Sequence, residues 1–205
     1  MKRLSASMHI RALWSLAAAL CLALLLPVSA SAQPVNLFKS YAGNMAFRMT
    51  GNSLRDANNE CQVLAQSSAT LSIPSGSNFK AAYLYWSGSG QPDSSVTLNG
   101  TPISANVTYN LTVDGLNYFS SRADVTSRIS ASGGVYTVGG LTIDTSQPYC
   151  DIANVYGGWA LLTVYENPSE SLRVLNIFDG FREYWGSSIT LTPNNFIVSD
   201  NPALA

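Results

Sequence analysis

Gly157 to Gly180, GGWALLTVYENPSESLRVLNIFDG, limits what this chain can fold into more than any other stretch. Trp159 to Tyr165 is an uncharged run of strand formers, and Leu172 to Phe178 is a second run in which only Arg173 is charged. Between them, Pro168 has no N–H to give to a ladder and a fixed φ, so Glu166 to Glu170 reads as a turn. The expected unit is a hairpin of two long strands. Along the first strand, Trp159, Leu161, Thr163 and Tyr165 face one way, and Ala160, Leu162 and Val164 face the other. Two apolar faces require a strand that is covered on both sides or lies near the centre of a sheet.

The rest of the chain is consistent with such a strand. Phe79 to Ser87 (FKAAYLYWS) alternates Ala82, Leu84 and Trp86 against Tyr83, Tyr85 and Ser87, and is the second core strand. Pro34–Ala42 reads as an edge strand. Shorter strands are expected at Ala46–Thr50, Cys61–Leu64, Ala69–Ile73, Ser95–Leu98, Pro102–Tyr109, Leu116–Ser121, Val135–Val138, Leu141–Asp144 and Pro148–Ile152, with final ones at Ser188–Leu191 and Asn195–Val198. Asn99-Gly100 is a hairpin signal, and Arg122–Ile129 reads as one helical turn capped by Asp124. Short strands at spacings of about 8–12 residues without a normal-length helix mean an all-β sandwich or barrel, and a jelly-roll-like antiparallel β-sandwich is the expected form.

Residues 1–32 are expected to be a signal peptide. Lys2, Arg3 and Arg11 form a positive start, Ala12–Leu26 is apolar and uncharged, and Ala30-Ser31-Ala32 is a small-residue cleavage site. The apolar run falls short of the roughly 20 residues that span a bilayer, and no other segment could span one. The remaining chain divides into a single domain at 33–198 and a short tail at 199–205. Of 11 Lys and Arg, the three just named leave with the leader, so 8 face 12 Asp and Glu, a net charge of −4. A mildly acidic, charge-poor surface argues against nucleic acid or an anionic membrane as partner. Cys21 leaves as well. Cys61 and Cys150 remain as an even pair in an oxidising compartment and are expected to form one disulfide.

The phrases AAYLYWSGSG, SRADVTSRI, GGVYTVGGL, GGWALLTVYENPSESLRVLNIFDGF and SSITLTPNNF, in that order, resemble an N-terminal β-domain of unknown function found in secreted and surface-attached bacterial proteins. In those proteins it often precedes arrays of immunoglobulin-like repeats. The resemblance covers about residues 35–198 and implies an extracellular β-sandwich of a surface or secreted, adhesin-like protein. It brings no reaction, ligand or functional residue with it, and no repeats follow the domain in this sequence.

The residues themselves point away from catalysis. The only histidine is His9, in the leader, so Ser-His-Asp and Cys-His arrangements are excluded from the mature chain. Ser77-Asn78-Phe79-Lys80 and Ser199-Asp200-Asn201 match two of the three motifs of penicillin-binding enzymes, but the third is missing and the first runs into a strand. Glu166 with Glu170, and Asp179 with Glu183, are the carboxylate pairs a glycoside hydrolase would need, and both read better as solvated turn charges. Asp114, Asp124, Asp144 and Asp151 lie in or beside loops, where they could ligate Ca²⁺; no other cofactor is expected. Trp86 and Trp159 read as core. Tyr184-Trp185, in a polar connector, is the aromatic pair expected to be exposed for a ligand. The expected function is therefore a non-enzymatic structural or adhesion domain, secreted or at the cell surface, with surface glycans or other surface proteins as partners. The alternatives are a carbohydrate-binding module and, behind that, a glycoside hydrolase.

Overall fold

The computed structural model describes residues 33–59 and 61–183. The expected leader, the strands at Ser188–Leu191 and Asn195–Val198, the tail and the pair Tyr184-Trp185 lie outside the described residues. Eleven strands are described: β1 (Gln33–Gly43), β2 (Met45–Ser53), β3 (Gln66–Ser72), β4 (Asn78–Ser89), β5 (Ser95–Leu98), β6 (Thr101–Ser104), β7 (Val107–Val113), β8 (Leu116–Asp124), β9 (Gly133–Gly139), β10 (Gly157–Glu166) and β11 (Arg173–Phe181). One short helix, α1 (Gln147–Cys150), and a 3₁₀ turn at Thr126–Arg128 complete the set. No described helix is long and apolar enough to cross a membrane.

The fold is an antiparallel β-sandwich. A five-stranded sheet in the order β2-β10-β4-β8-β7 faces a four-stranded sheet in the order β3-β9-β5-β6, and β1 and β11 pair in a separate two-stranded ribbon. Every ladder is antiparallel. The alternation along β4 and β10 decides the layering. Ala82, Leu84 and Trp86 of β4, with Trp159, Leu161 and Tyr165 of β10, pack on Leu71, Val96, Leu98, Ile103, Tyr136 and Val138 of the four-stranded sheet. On the opposite face Ala81, Tyr83 and Val164, with half-buried Tyr85 and Leu162, pack on Phe38 and Tyr41 of β1 and Leu175 and Ile177 of β11. Both faces of β10 are apolar because each meets its own cover. The two tryptophans are core, with their indole N–H groups satisfied: Trp86 donates to the Asp93 carbonyl (2.9 Å) and Trp159 to Ser67 Oγ (2.8 Å).

The hairpin expected at Gly157–Gly180 does not form. β10 already has β2 on one edge and β4 on the other, so no edge is free for β11. The chain instead turns out of the sheet after Glu166 and passes to the ribbon, where β11 pairs with β1. Asn167 fixes this exit. Its side chain donates to the Ser75 carbonyl (3.2 Å) and Ser77 Oγ (3.0 Å) and accepts from the Ser169 amide (2.9 Å).

Other local expectations are revised in the same way. Asn99-Gly100 does make a two-residue hairpin turn, both residues having positive φ. Its return strand ends at Ser104, and the chain then changes sheets to begin β7. Cys61–Leu64 is a turn with a single bridge, Val63 to Arg55, and Pro148–Ile152 is α1 and the turn after it. Leu141–Asp144 is irregular. β8 runs through Asp124, so the expected helical turn shrinks to three residues.

Leu161, fully buried at the middle of β10 between the two sheets, measures this packing. Leu161→Ala should lower unfolding stability by about 2–5 kcal/mol. A chemical-denaturation midpoint left unchanged by that substitution would contradict the placement of β10.

Candidate functional site

Two side-chain clusters on the ribbon side of the five-stranded sheet are built from more than local structure. The first lies where the ribbon crosses β7 and β8. Arg122 of β8 points out of the sheet, and its Nε lies 2.6 Å from Asp179 Oδ2 of β11. Both side chains are about nine-tenths buried. The Tyr109 hydroxyl donates to the same carboxylate oxygen (3.1 Å), and the Phe38 ring lies 3.5 Å from the guanidinium carbon. A small cavity of about 190 Å³ opens beside these groups, lined also by Pro34, Asn36 and Leu37. Breaking a buried pair by removing one partner costs about 3–5 kcal/mol, because the other charge is then left buried and unpaired. This cluster therefore reads as the polar clasp between ribbon and sheet.

The second cluster is a cleft of about 510 Å³ at the end of the sheet where β7, β8 and the end of β11 meet the loop before β10. Leu111, Tyr118, Asn154, Tyr156, Phe181 and Glu183 line it. Tyr118 and Tyr156 form its aromatic wall, and Tyr149 backs Tyr118 to make a row of three tyrosines. Tyr118 meets Tyr149 edge-on, with ring centroids 5.9 Å apart, and meets Tyr156 at a tilt, 6.0 Å apart. Tyr149 is buried and held at its hydroxyl, which accepts from the Asn117 amide (2.9 Å) and donates to the Asn117 carbonyl (3.1 Å). Tyr156 is half exposed, and its hydroxyl donates to Asn154 Oδ1 (3.3 Å). Burial raises the Tyr118 phenol above its ordinary range.

The loop that carries Asn154 and Tyr156 is anchored at several points. The Cys61–Cys150 disulfide ties α1 to the loop between β2 and β3, with Cα atoms 5.2 Å apart. Closing a loop of this length stabilises the fold by about 4–5 kcal/mol on the chain-entropy view. Ser89 takes the Tyr156 carbonyl on its amide (2.9 Å), and its hydroxyl donates to the Asp144 carbonyl (3.0 Å). Val155 is fully buried between the cleft residues Asn154 and Tyr156. The cleft is thus held in shape by the fold.

The aspartates singled out as Ca²⁺ candidates are not gathered. Among the described residues no three His, Cys, Asp or Glu side chains form a group that could hold a metal ion. Asp114 has positive φ and, with Gly115, makes the two-residue β7–β8 turn. Asp124 accepts from the amide (3.0 Å) and hydroxyl (2.6 Å) of Thr126, and Asp144 accepts from the Ser146 amide (2.8 Å). Asp151 closes α1, its amide donating to the Gln147 carbonyl (2.9 Å). Of the carboxylates considered for glycoside hydrolysis, Glu166 pairs with Lys80 (2.9 Å), Glu170 with Arg173 (3.3 Å) and Asp179 with Arg122 in the clasp, while Glu183 lines the cleft. The tyrosine row was not singled out from sequence. Tyr118, Tyr149 and Tyr156 are scattered between Gly, Asn and Cys with no shared period, and only the loop's path brings them together.

The chain matches no protein-family model, no curated protein and no solved structure.

The tyrosines around the clasp set an alkaline limit. Tyr85 is pushed up from 10.0 to about 12, by burial first and by the Asp179 charge second, with Arg122 opposing. Tyr83 is raised by burial and by its hydrogen bond to Tyr41, and Tyr109 by burial and Asp179. In the unfolded chain these phenols ionise near 10, before the folded ones do, so the stability they contribute is complete below about pH 10. It is lost as the pH climbs through about 12. Denaturant midpoints measured across that window should fall steadily; a flat profile would mean that these tyrosines are not buried as described.

Proposed function

We propose that this chain is an exported, non-enzymatic adhesion-type domain of a bacterial surface or secreted protein, secreted or held at the cell surface. The observation that carries the reading is the tyrosine cleft: a recognition surface held by a disulfide, a buried valine and backbone hydrogen bonds. A preformed surface loses little side-chain freedom on binding, which favours affinity without chemistry. The disulfide fits an oxidising, extracytoplasmic compartment. The resemblance to surface-attached bacterial domains and the leader-like residues 1–32 favour the same reading, and the partners it implies are surface glycans or surface proteins. Glu166, Glu170 and Asp179 are each paired with a cation, which favours binding over hydrolysis.

Residues 33–205, purified with the disulfide formed and coated on beads, should make those beads adhere to bacterial or host-cell surfaces several-fold more than beads coated with an unrelated sandwich domain. The same protein should leave chromogenic glycosides and esters unchanged. Turnover of such a substrate, or adhesion no better than the control on every surface, would overturn the reading.

A further inference from the structure

We infer that the tyrosine cleft is a saccharide-binding site, and that its ligand is a neutral sugar seated against Tyr156 and Tyr118. The inference rests on the binding role proposed above and names the chemistry of the ligand. A sugar ring presents an apolar C–H face and a rim of hydroxyls that both donate and accept. The cleft presents the matching pair of surfaces. Tyr118, Tyr156 and Phe181 give it aromatic faces and edges, and Leu111 and Val113 extend the apolar wall. The polar groups sit at the margin: the two phenols, the Asn154 amide that accepts from Tyr156, the exposed Ser87 and the Glu183 carboxylate. Tyrosine suits this duty, since its ring buries apolar area while its hydroxyl stays available.

Charge and size narrow the ligand further. Among the described residues no Lys or Arg lines the cleft, and Glu183 is the one charged residue there. Phosphorylated, sulfated and carboxylated ligands would meet a carboxylate with no cation to offset it, so the ligand is uncharged. A volume of about 510 Å³ lies within the range of ordinary small-ligand sites and suits one or two sugar residues. Tyr156 is the critical side chain, since it is half exposed and braced from behind by Tyr118, which Tyr149 braces in turn. This row lets the outer ring meet a ligand without losing rotamer freedom. Tyr156 makes none of the contacts of the Arg122–Asp179 clasp, so it can be altered without unlocking the ribbon.

The test is titration of residues 33–205 with neutral di- and tetrasaccharides built from glucose, galactose, mannose or N-acetylglucosamine, followed by calorimetry and by saturation-transfer NMR on the sugar. At least one should bind. Tyr156→Ala should weaken that binding by about tenfold or more, while its melting curve stays that of the wild type. Val135→Ser, at an exposed site on β9 of the other sheet, should leave binding unchanged. Raising the salt concentration should barely change affinity, since no ion pair is formed. Failure of every sugar to bind, or equal binding by the Tyr156→Ala variant, would overturn the inference. Beads that still adhere while no sugar binds would remove the ligand class and leave the adhesion role standing. Adhesion lost in Tyr156→Ala without any sugar binding would assign the cleft to a protein partner, against this inference.

Discussion

The fold depends on a pair of neighbouring strands, β4 and β10, that are apolar on both faces. A strand pair of this kind is stable only when both sides are kept from water, at roughly 1.5–3 kcal/mol for each large side chain buried. One sheet cannot do that by itself. The four-stranded sheet covers one side, and the β1–β11 ribbon crosses the other. The connections follow from that need. The chain changes sheets between β6 and β7, and it leaves the five-stranded sheet after β10 to build the outer layer.

The two covers are held differently. The four-stranded sheet packs through aliphatic and aromatic side chains, with tryptophan N–H groups closing onto Ser67 and the Asp93 carbonyl. The ribbon is only two strands wide, and it adds a polar lock to its apolar contacts. Arg122 reaches up from β8 to Asp179, with Tyr109 and Phe38 shielding the pair from water. A buried pair is weak evidence of net stability but a strong constraint on position, since any displaced ribbon leaves two charges unpaired. Gly180 follows that aspartate directly. A Cβ there would lie 2.6 Å from the Pro34 carbonyl oxygen, so the ribbon's strands meet too closely for a side chain.

The alternation of side chains was readable in the sequence, and the choice of strand partner was not. Trp159, Leu161 and Tyr165 separate from Leu162 and Val164 as the period of two requires, and the same holds for Leu84 and Trp86 against Tyr83 and Tyr85. Period reports which face a residue takes. It carries nothing about which strand lies alongside, so two strong runs around Pro168 looked like a hairpin although β2 and β4 occupy both edges of β10. The cysteine pair was legible because compartment and parity are sequence properties. The aspartates were ambiguous in sequence because Ca²⁺ ligation and turn capping call for the same residue in the same kind of loop, and Asp124 and Asp144 are seen in turn hydrogen bonds. The tyrosine cleft was invisible because its members come from β8, α1 and the segment ahead of β10, brought together by a disulfide and a buried Val155.

Architecture and proposed role meet at that cleft. The core strands supply a rigid platform, the disulfide fixes α1 and its loop at one end of the platform, and the loop presents Tyr156 to solvent. The central claim is that ribbon, five-stranded sheet and four-stranded sheet form one cooperative body. Native-state hydrogen exchange on residues 33–205 tests it most directly. The account predicts that the slowest amides of β1 and β11 open with the same free energy, and the same denaturant dependence, as those of β4 and β10. Ribbon amides that exchange through a separate opening of much lower free energy, with β4 and β10 still protected, would contradict it.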